Sequence, residues 1–235
     1  MKNPLLISVR DKDDPMVEHE HSCFEARTGG TLDVVFAVER RLEPHLLEER
    51  PAVFFGGSGA YSVTDKDEWI RDALDFFLLV VDQKTPAYAS CFAFQGLALA
   101  MGGEVSHDPE YAEMGIVPVQ LTESARLDAL FGQLPDRVVV CSGHNDHVSR
   151  LPSGVTSFAV GELVANQAFK VDGAPFWASQ FHPELTKADL MVRWNFYRDE
   201  FTKDPEEIAA TDAILEAAPE TPEVNRIFRH LLELH

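Results

Sequence analysis

The chain has 235 residues, of which 45% are hydrophobic, 10% aromatic and 25% charged, enough apolar content to bury a core without disulfide or metal staples. Lys and Arg total 20 against 39 Asp and Glu, a formal charge of −19; a surface that negative argues against nucleic acid and anionic membrane as partners, because both need clustered cations. The three cysteines, Cys23, Cys91 and Cys141, are odd in number and far apart, which fits free thiols in a reducing, cytoplasmic setting. The N-terminal apolar stretch is too short for a signal segment, and no run nears the ~20 residues of a membrane span.

Residues 5–9, 32–38 and 52–55 are continuous apolar runs bounded by turn residues, the pattern of buried strands. Between 67 and 81 the apolar residues fall at 70, 73, 74, 77, 78 and 81, a helical period. Pro86 then leads into a strand over 87–90, followed by a helix over 92–101 closed by Gly102-Gly103. Strands alternating with helices predict a parallel sheet covered on both faces. Runs at 117–121, 137–141, 163–171 and 177–181 have short connections, so antiparallel additions to that sheet are expected. Helical patterns then cover 187–201, 206–217 and 223–234, with Pro205 and Pro222 near two of the starts. No linker interrupts the chain. The expected architecture is α/β: a single domain over 1–235 with three layers, a flavodoxin-like, mixed but mostly parallel sheet, a core over about 1–184, and a helical C-terminal cover over about 185–235.

Three segments carry chemistry. Cys91 falls where the strand over 87–90 gives way to a helix, so its sulfur is expected on a tight turn at the carboxyl edge of the sheet. The positive end of the helix dipole there favours an anion on the sulfur, and the backbone N–H of Phe92 points toward an oxyanion formed on attack. Read alone, Cys91 serves equally well as a small buried apolar residue. Gly56-Gly57-Ser58-Gly59 follows the strand over 52–55 and exposes backbone N–H groups; it lacks the spacing of either phosphate-binding glycine motif, and alone it reads as a tight turn. Gln180-Phe181-His182-Pro183-Glu184 ends a strand so that Glu184 can orient His182 as a base; taken singly, such a tripeptide is usually a surface turn.

Together these segments resemble the class I (type 1) glutamine amidotransferases, the triad family whose glutaminase domains serve GMP synthase and related synthetases. The family elbow G-x-C-x-G-x-Q is matched by Ala89-Ser90-Cys91-Phe92-Ala93-Phe94-Gln95, the GG-P loop by Gly56-Gly57-Ser58, and Q-F-H-P-E is intact at 180–184. Gly143-His144-Asn145-Asp146-His147-Val148 with Leu151-Pro152 is similar to the S-H-G-D-x-V and L-P segments. Asn166-Gln167-Ala168-Phe169 and Glu113-Met114-Gly115 resemble two further family patterns. The motifs run in order from about Ala52 to Glu184.

The resemblance implies a GMP-synthase-glutaminase-like enzyme that hydrolyses the side-chain amide of L-glutamine. Cys91 is then the nucleophile, His182 the base and Glu184 its orienter. The backbone of Gly57 and Phe92 forms the oxyanion hole, and Gln95, His144, Asn145 and Asp146 bind substrate. No cofactor is implied; since nothing after Glu184 is long enough to hold a synthetase, the domain is expected to stand alone and pass ammonia to an unidentified acceptor, with a separate synthetase subunit as the candidate partner. The departures from the family pattern are Ala89 and Ala93 for the elbow glycines, Phe94 beside the pocket, and Ser58 for the loop proline, which is expected to loosen that loop. Two rivals accompany this reading: a γ-glutamyl hydrolase or peptidase of the same fold, and a non-catalytic binding module with a compromised elbow.

Elsewhere, Glu18-His19-Glu20-His21-Ser22-Cys23 is rich in ligand types, but its charged residues are expected to face solvent and no distant pair of histidines has ligand spacing, so no metal is assigned. Cys141 is expected in the core, and Trp177, Trp194, Phe196 and Tyr197 are expected to pack the last helices on the sheet.

Overall fold

A computed structural model describes residues 2–234, apart from the side chain of residue 200. The first half alternates as the apolar runs predict: β1 (Leu5–Ser8), α1 (Val17–Thr28), β2 (Asp33–Phe36), β3 (Val53–Phe55), α2 (Glu68–Gln83), β4 (Ala87–Ser90) and α3 (Phe92–Ala100). Then come β5 (Glu104–His107), β6 (Glu113–Leu121), α4 (Glu123–Arg126), β7 (Arg137–His144), β8 (Asp146–Arg150), β9 (Val155–Gly161), β10 (Ala168–Val171) and β11 (Phe176–Ser179). The chain ends with α5 (Lys187–Phe201), α6 (Pro205–Ala217) and α7 (Ile227–Glu233).

Nine strands form one sheet in the order β2-β1-β3-β4-β11-β10-β9-β6-β7. It is parallel from β2 to β11 and antiparallel from β11 to β7, so the fold is α/β with a mixed sheet. Consecutive apolar residues in the parallel strands are explained by burial on both faces. Leu5, Ile7, Val53 and Phe55 point to the side covered by α2 and α3. Leu6, Phe54 and Tyr88 point to the other, where Phe24 of α1 and Phe228 of α7 stack with ring centroids 5.2 Å apart. The helices α5 and α6 close a third, smaller cluster over Cys141, with Leu190, Trp194 and Leu215.

Several expectations are corrected. The strand expected over 163–171 is paired only from Ala168, because a turn closed by Gly161 N donating to Val164 O precedes it. The last helix opens with a 3-10 turn at Val224–Arg226 and becomes α-helical at Ile227. Strand β9 and the two-stranded ribbon of β5 with β8 add to the strands expected; the ribbon's Glu104, Ser106 and His107 carry little apolar signal. In α2 the buried stripe is Ile70, Ala73, Phe76, Phe77 and Val80, leaving Leu78 at 41% exposure. Trp177 and Trp194 are buried, but Phe196 is 45% exposed and Tyr197 faces a cavity.

Candidate active site

Three neighbouring parallel strands end at one edge of the sheet and deliver the site. Phe55 of β3 is paired with Ala89 of β4, and Ser90 of β4 with Ser179 of β11. The residues that follow each strand, Gly56-Gly57, Cys91 and Gln180 to Glu184, are therefore brought side by side. Cys91 N donates to Ser179 O at 2.9 Å, and Gln95 N donates to Cys91 O at 3.0 Å, so the turn is tied to the neighbouring strand and to the helix at once. Cys91 has φ 50° and ψ −104°, a conformation that strains a side-chain-bearing residue. Among the described residues only Glu49, Lys84 and Cys91 are non-glycine residues with positive φ. Ala89 and Ala93 are not among them; both are fully buried, one in β4 and one in α3.

His182 and Cys91 stand side by side at Gly57, where one added Cβ would lie 3.0 Å from His182 Cε1 and 3.5 Å from Cys91 Cβ. His182 Nδ1 is 2.6 Å from Glu184 Oε1, and Ser90 Oγ donates to Glu184 Oε2 at 3.2 Å. Burial alone would lower the His182 pKa, but the Glu184 carboxylate and the Cys91 sulfur outweigh it and raise it to about 9. Burial likewise pushes the Glu184 carboxyl up, and contact with His182, helped by Arg193, overcomes that and holds it below the ordinary range. The sulfur receives two further contacts: Gln180 Nε2 donates to it at 3.6 Å, and it lies 3.7 Å from Gly143 O.

The glycines of the 56–59 loop make room for this cluster. A Cβ on Gly57 would stand 3.0 Å from His182 Cε1, and one on Gly56 would stand 2.9 Å from Glu20 Cδ. As the first residue of α3, Phe92 has a backbone N–H with no carbonyl partner within the helix, and the Gly57 N–H has no hydrogen-bond partner among the described residues. Ser58 Oγ accepts from the backbone N–H of Ala60 and Tyr61 at 3.2 and 3.1 Å, which ties the loop locally at the position of the family's proline.

Cys91 and His182 line a cavity of about 320 Å³ together with Gln95, His144, Asn145 and Asp146, within the ~300–1,000 Å³ range of small-molecule sites. Gln95 Nε2 donates to Asp146 O at 2.7 Å and to Gln180 Oε1 at 3.2 Å, which fixes its amide. The Asp146 carboxylate is held by Ser62 Oγ and, at 2.7 Å, by His107 Nδ1. His144 Nε2 is 3.0 Å from Glu113 Oε2, which also accepts from Gln167 Nε2 at 2.9 Å. Burial opposes ionisation of Glu113, and those two contacts more than reverse it, so its pKa is lowered. Asn145 is exposed at the turn between β7 and β8. Phe94, expected beside the pocket, instead packs on Phe169 in the core with ring centroids 5.1 Å apart.

The residues behind His182 escape a reading of the sequence. Glu20 is fully buried, although its segment is expected to face solvent. Ser8 Oγ donates to its Oε2, and Arg10 Nε and Arg193 Nη2 lie 3.2 and 3.9 Å from its Oε1. Arg193 Nη1 also reaches Glu184 at 4.0 Å, and Arg10 Nη1 donates to the Tyr197 hydroxyl at 2.7 Å. Arg10, Arg193 and Tyr197 form a wall of the cavity. No local motif marks them, because the partners come from β1, α1 and α5. Gln180 alone has a signal, its place in Q-F-H-P-E.

The family model "Glutamine amidotransferase class-I" matches residues 31–198. A GMP synthase (glutamine-hydrolyzing) from Thermotoga sp. (strain RQ2) is 33% identical over 144 residues, which cover 59% of this chain and 25% of that protein. The chain thus matches about a quarter of the length of that relative. A protein from Sulfolobus acidocaldarius, named as one subunit of a GMP synthase (glutamine-hydrolyzing), is 31% identical over 156 residues, covering 65% of this chain and 78% of that one. In fold, the chain is similar to a glutamine amido transferase from Methylobacillus flagellatus, with TM-score 0.73, 23% identity and coverage of 99% and 93% of the two chains. A glutamine amidotransferase from Thermotoga maritima gives TM-score 0.71, 22% identity and coverage of 99% and 96%. With the family model matched across more than half of its length, the chain belongs to the glutamine amidotransferase class-I family.

Proposed function

We propose that this protein hydrolyses the side-chain amide of L-glutamine, with Cys91 as nucleophile, His182 as acid and base, and Glu184 as the group that orients His182. The observation that carries this reading is a strained Cys91 beside His182 at a cavity wall, with His182 Nδ1 held 2.6 Å from Glu184. Cys91 gives its proton to His182, and the sulfur attacks the amide carbon. The oxyanion that forms is met by the N–H groups of Gly57 and Phe92. As the intermediate collapses, the C–N bond breaks and His182 returns the proton to the departing ammonia, leaving a γ-glutamyl thioester. Water then attacks the thioester with His182 as base; the C–S bond breaks, glutamate leaves and the thiol is restored.

Gln180 and Glu184 position this machinery, one donating to the sulfur and the other fixing the imidazole. Gln95, His144, Asn145 and Asp146 contact the substrate, with Glu113 holding His144 in place. The ammonia passes to a separate synthetase chain, a reading supported by the relative whose name makes it one of the subunits of a GMP synthase. A glutamine analogue with an electrophilic carbon in place of the amide tests the assignment. Mass spectrometry is expected to find one label per chain, on Cys91, and none after Cys91→Ala. Label on Cys23 or Cys141 instead, or none on the wild type, overturns it.

A further inference from the structure

Where α1 meets α5, three chemically unlike donors converge outside the cavity. His19 and Cys23 are four residues apart on α1, so they share a face of the helix. Asp189 comes from the first turn of α5, more than 160 positions along the chain by residue number. His19 Nε2 lies 3.7 Å from Cys23 Sγ and 3.5 Å from Asp189 Oδ1, and one donor atom from each residue falls within 4.8 Å of the other two.

Two of these separations approach the edges of a coordination polyhedron. With bonds of about 2.3 Å to sulfur and about 2.05 Å to nitrogen or oxygen, the edges of a tetrahedron around zinc are about 3.5 Å for S···N and about 3.3 Å for N···O. The S···N and N···O values exceed these by tenths of an ångström, and the sulfur also lies 3.9 Å from His19 Nδ1, so a turn of the imidazole is what brings all three donors onto one ion. The carboxylate is already oriented: the backbone N–H and hydroxyl of Thr186 both donate to Asp189 Oδ2, at 2.9 and 2.6 Å, and Oδ1 is the atom left facing His19. Such outer contacts fix a ligand's geometry in metal sites. Cys23 is 4% exposed and packs in the cluster with Leu190 and Trp194, while the His19 and Asp189 side chains are 18% and 27% exposed. The sulfur is dry, while His19 and Asp189 are partly reached by solvent.

We infer that His19, Cys23 and Asp189 form a three-ligand site for a zinc-class divalent cation, with water in the fourth position. One sulfur, one imidazole nitrogen and one carboxylate oxygen select a borderline ion such as zinc or cobalt over magnesium or calcium, which prefer all-oxygen sets. On binding, the metal–sulfur bond replaces the Cys23 S–H bond and the proton goes to solvent. The strongly acidic chain adds a favourable long-range field for cations. The segment around His19 shows ligand types without a distant partner in the sequence, and Asp189 is the partner that the fold supplies.

The test is cobalt titration of the full chain after treatment with a chelator, followed by displacement with zinc. One equivalent of cobalt is expected to give intense tetrahedral visible bands and a thiolate-to-cobalt charge-transfer band, both removed by zinc. Cys23→Ser is expected to lose the charge-transfer band. His19→Ala, a partly exposed position that leaves the core intact, is expected to weaken zinc by more than the roughly 10–100-fold that loss of an outer contact costs. Cys91→Ala is expected to change neither. No charge-transfer band in the wild type, a band that survives Cys23→Ser, undiminished zinc affinity in His19→Ala, or a band lost with Cys91→Ala each overturns the site.

Discussion

Residue 91 holds the one strained backbone at the site, with φ 50° and ψ −104°. Glycine tolerates that conformation, whereas any residue with a Cβ is strained there by about 1–3 kcal/mol. Cys91→Gly is therefore expected to be more stable than Cys91→Ala by about 1 kcal/mol in urea denaturation, the reverse of the order within a helix. Equal midpoints for the two variants contradict the strain. The motif makes the position of the sulfur legible in the sequence, but not where the strain lies. The family glycines stand at 89 and 93, and their replacement by alanine raises the prospect of a compromised elbow; neither residue has positive φ, and both methyls are buried in the core. Close packing, which a sequence does not display, is what those positions demand. His182 yields a second expectation. Its pKa rises from 6.5 to about 9 on folding, so it binds its proton more tightly in the native state. That stabilisation is complete below the unfolded value and is lost as pH rises through about 9. The Tm gap between wild type and His182→Gln should therefore narrow as pH is raised from about 6 to about 10, and a gap that widens contradicts it.

At the scale of elements, the site depends on how α1, α5 and the loop after β1 meet. Glu20 is the shared contact: fully buried, facing Arg10 and Arg193, with Gly56 kept side-chain-free to admit it. Its carboxylate offsets two guanidinium groups in a place with little water. Glu20→Gln is expected to cost about 3–5 kcal/mol, because it leaves buried cations uncompensated; a loss below about 1 kcal/mol in urea denaturation, typical of an exposed pair, contradicts that role. Nothing in the run Glu18 to Cys23 announces this. A charged residue on a polar helix reads as solvated until its partners, ten residues before and far after it, are placed in space. The same limit explains the β5–β8 ribbon, whose Glu104, Ser106 and His107 offer no apolar run to count. By contrast, β1, β3, β4, α2 and α3 are legible, because strands buried on both faces and helices buried on one write their periods directly into composition.

Across the whole molecule, the parallel half of the sheet sets the chemistry and the antiparallel half builds a wall. The order β3-β4-β11 places residues 56–57, 91 and 182 at one edge, although 182 is distant in sequence from the others. The antiparallel pairing of β6 with β7 brings Glu113 opposite His144. The helical cover contributes more than packing: α5 supplies Arg193 and Tyr197 to the cavity, a role its residue pattern does not reveal. Among the described residues no helix is long and apolar enough to cross a membrane. Amide hydrolysis by Cys91 is the function proposed for this edge of the sheet. The most direct test is glutamate release from L-glutamine by the purified chain beside its Cys91→Ala variant, with both confirmed folded by circular dichroism. The account predicts release by the wild type and its loss in the variant; no release by the wild type, or release undiminished by Cys91→Ala, contradicts it.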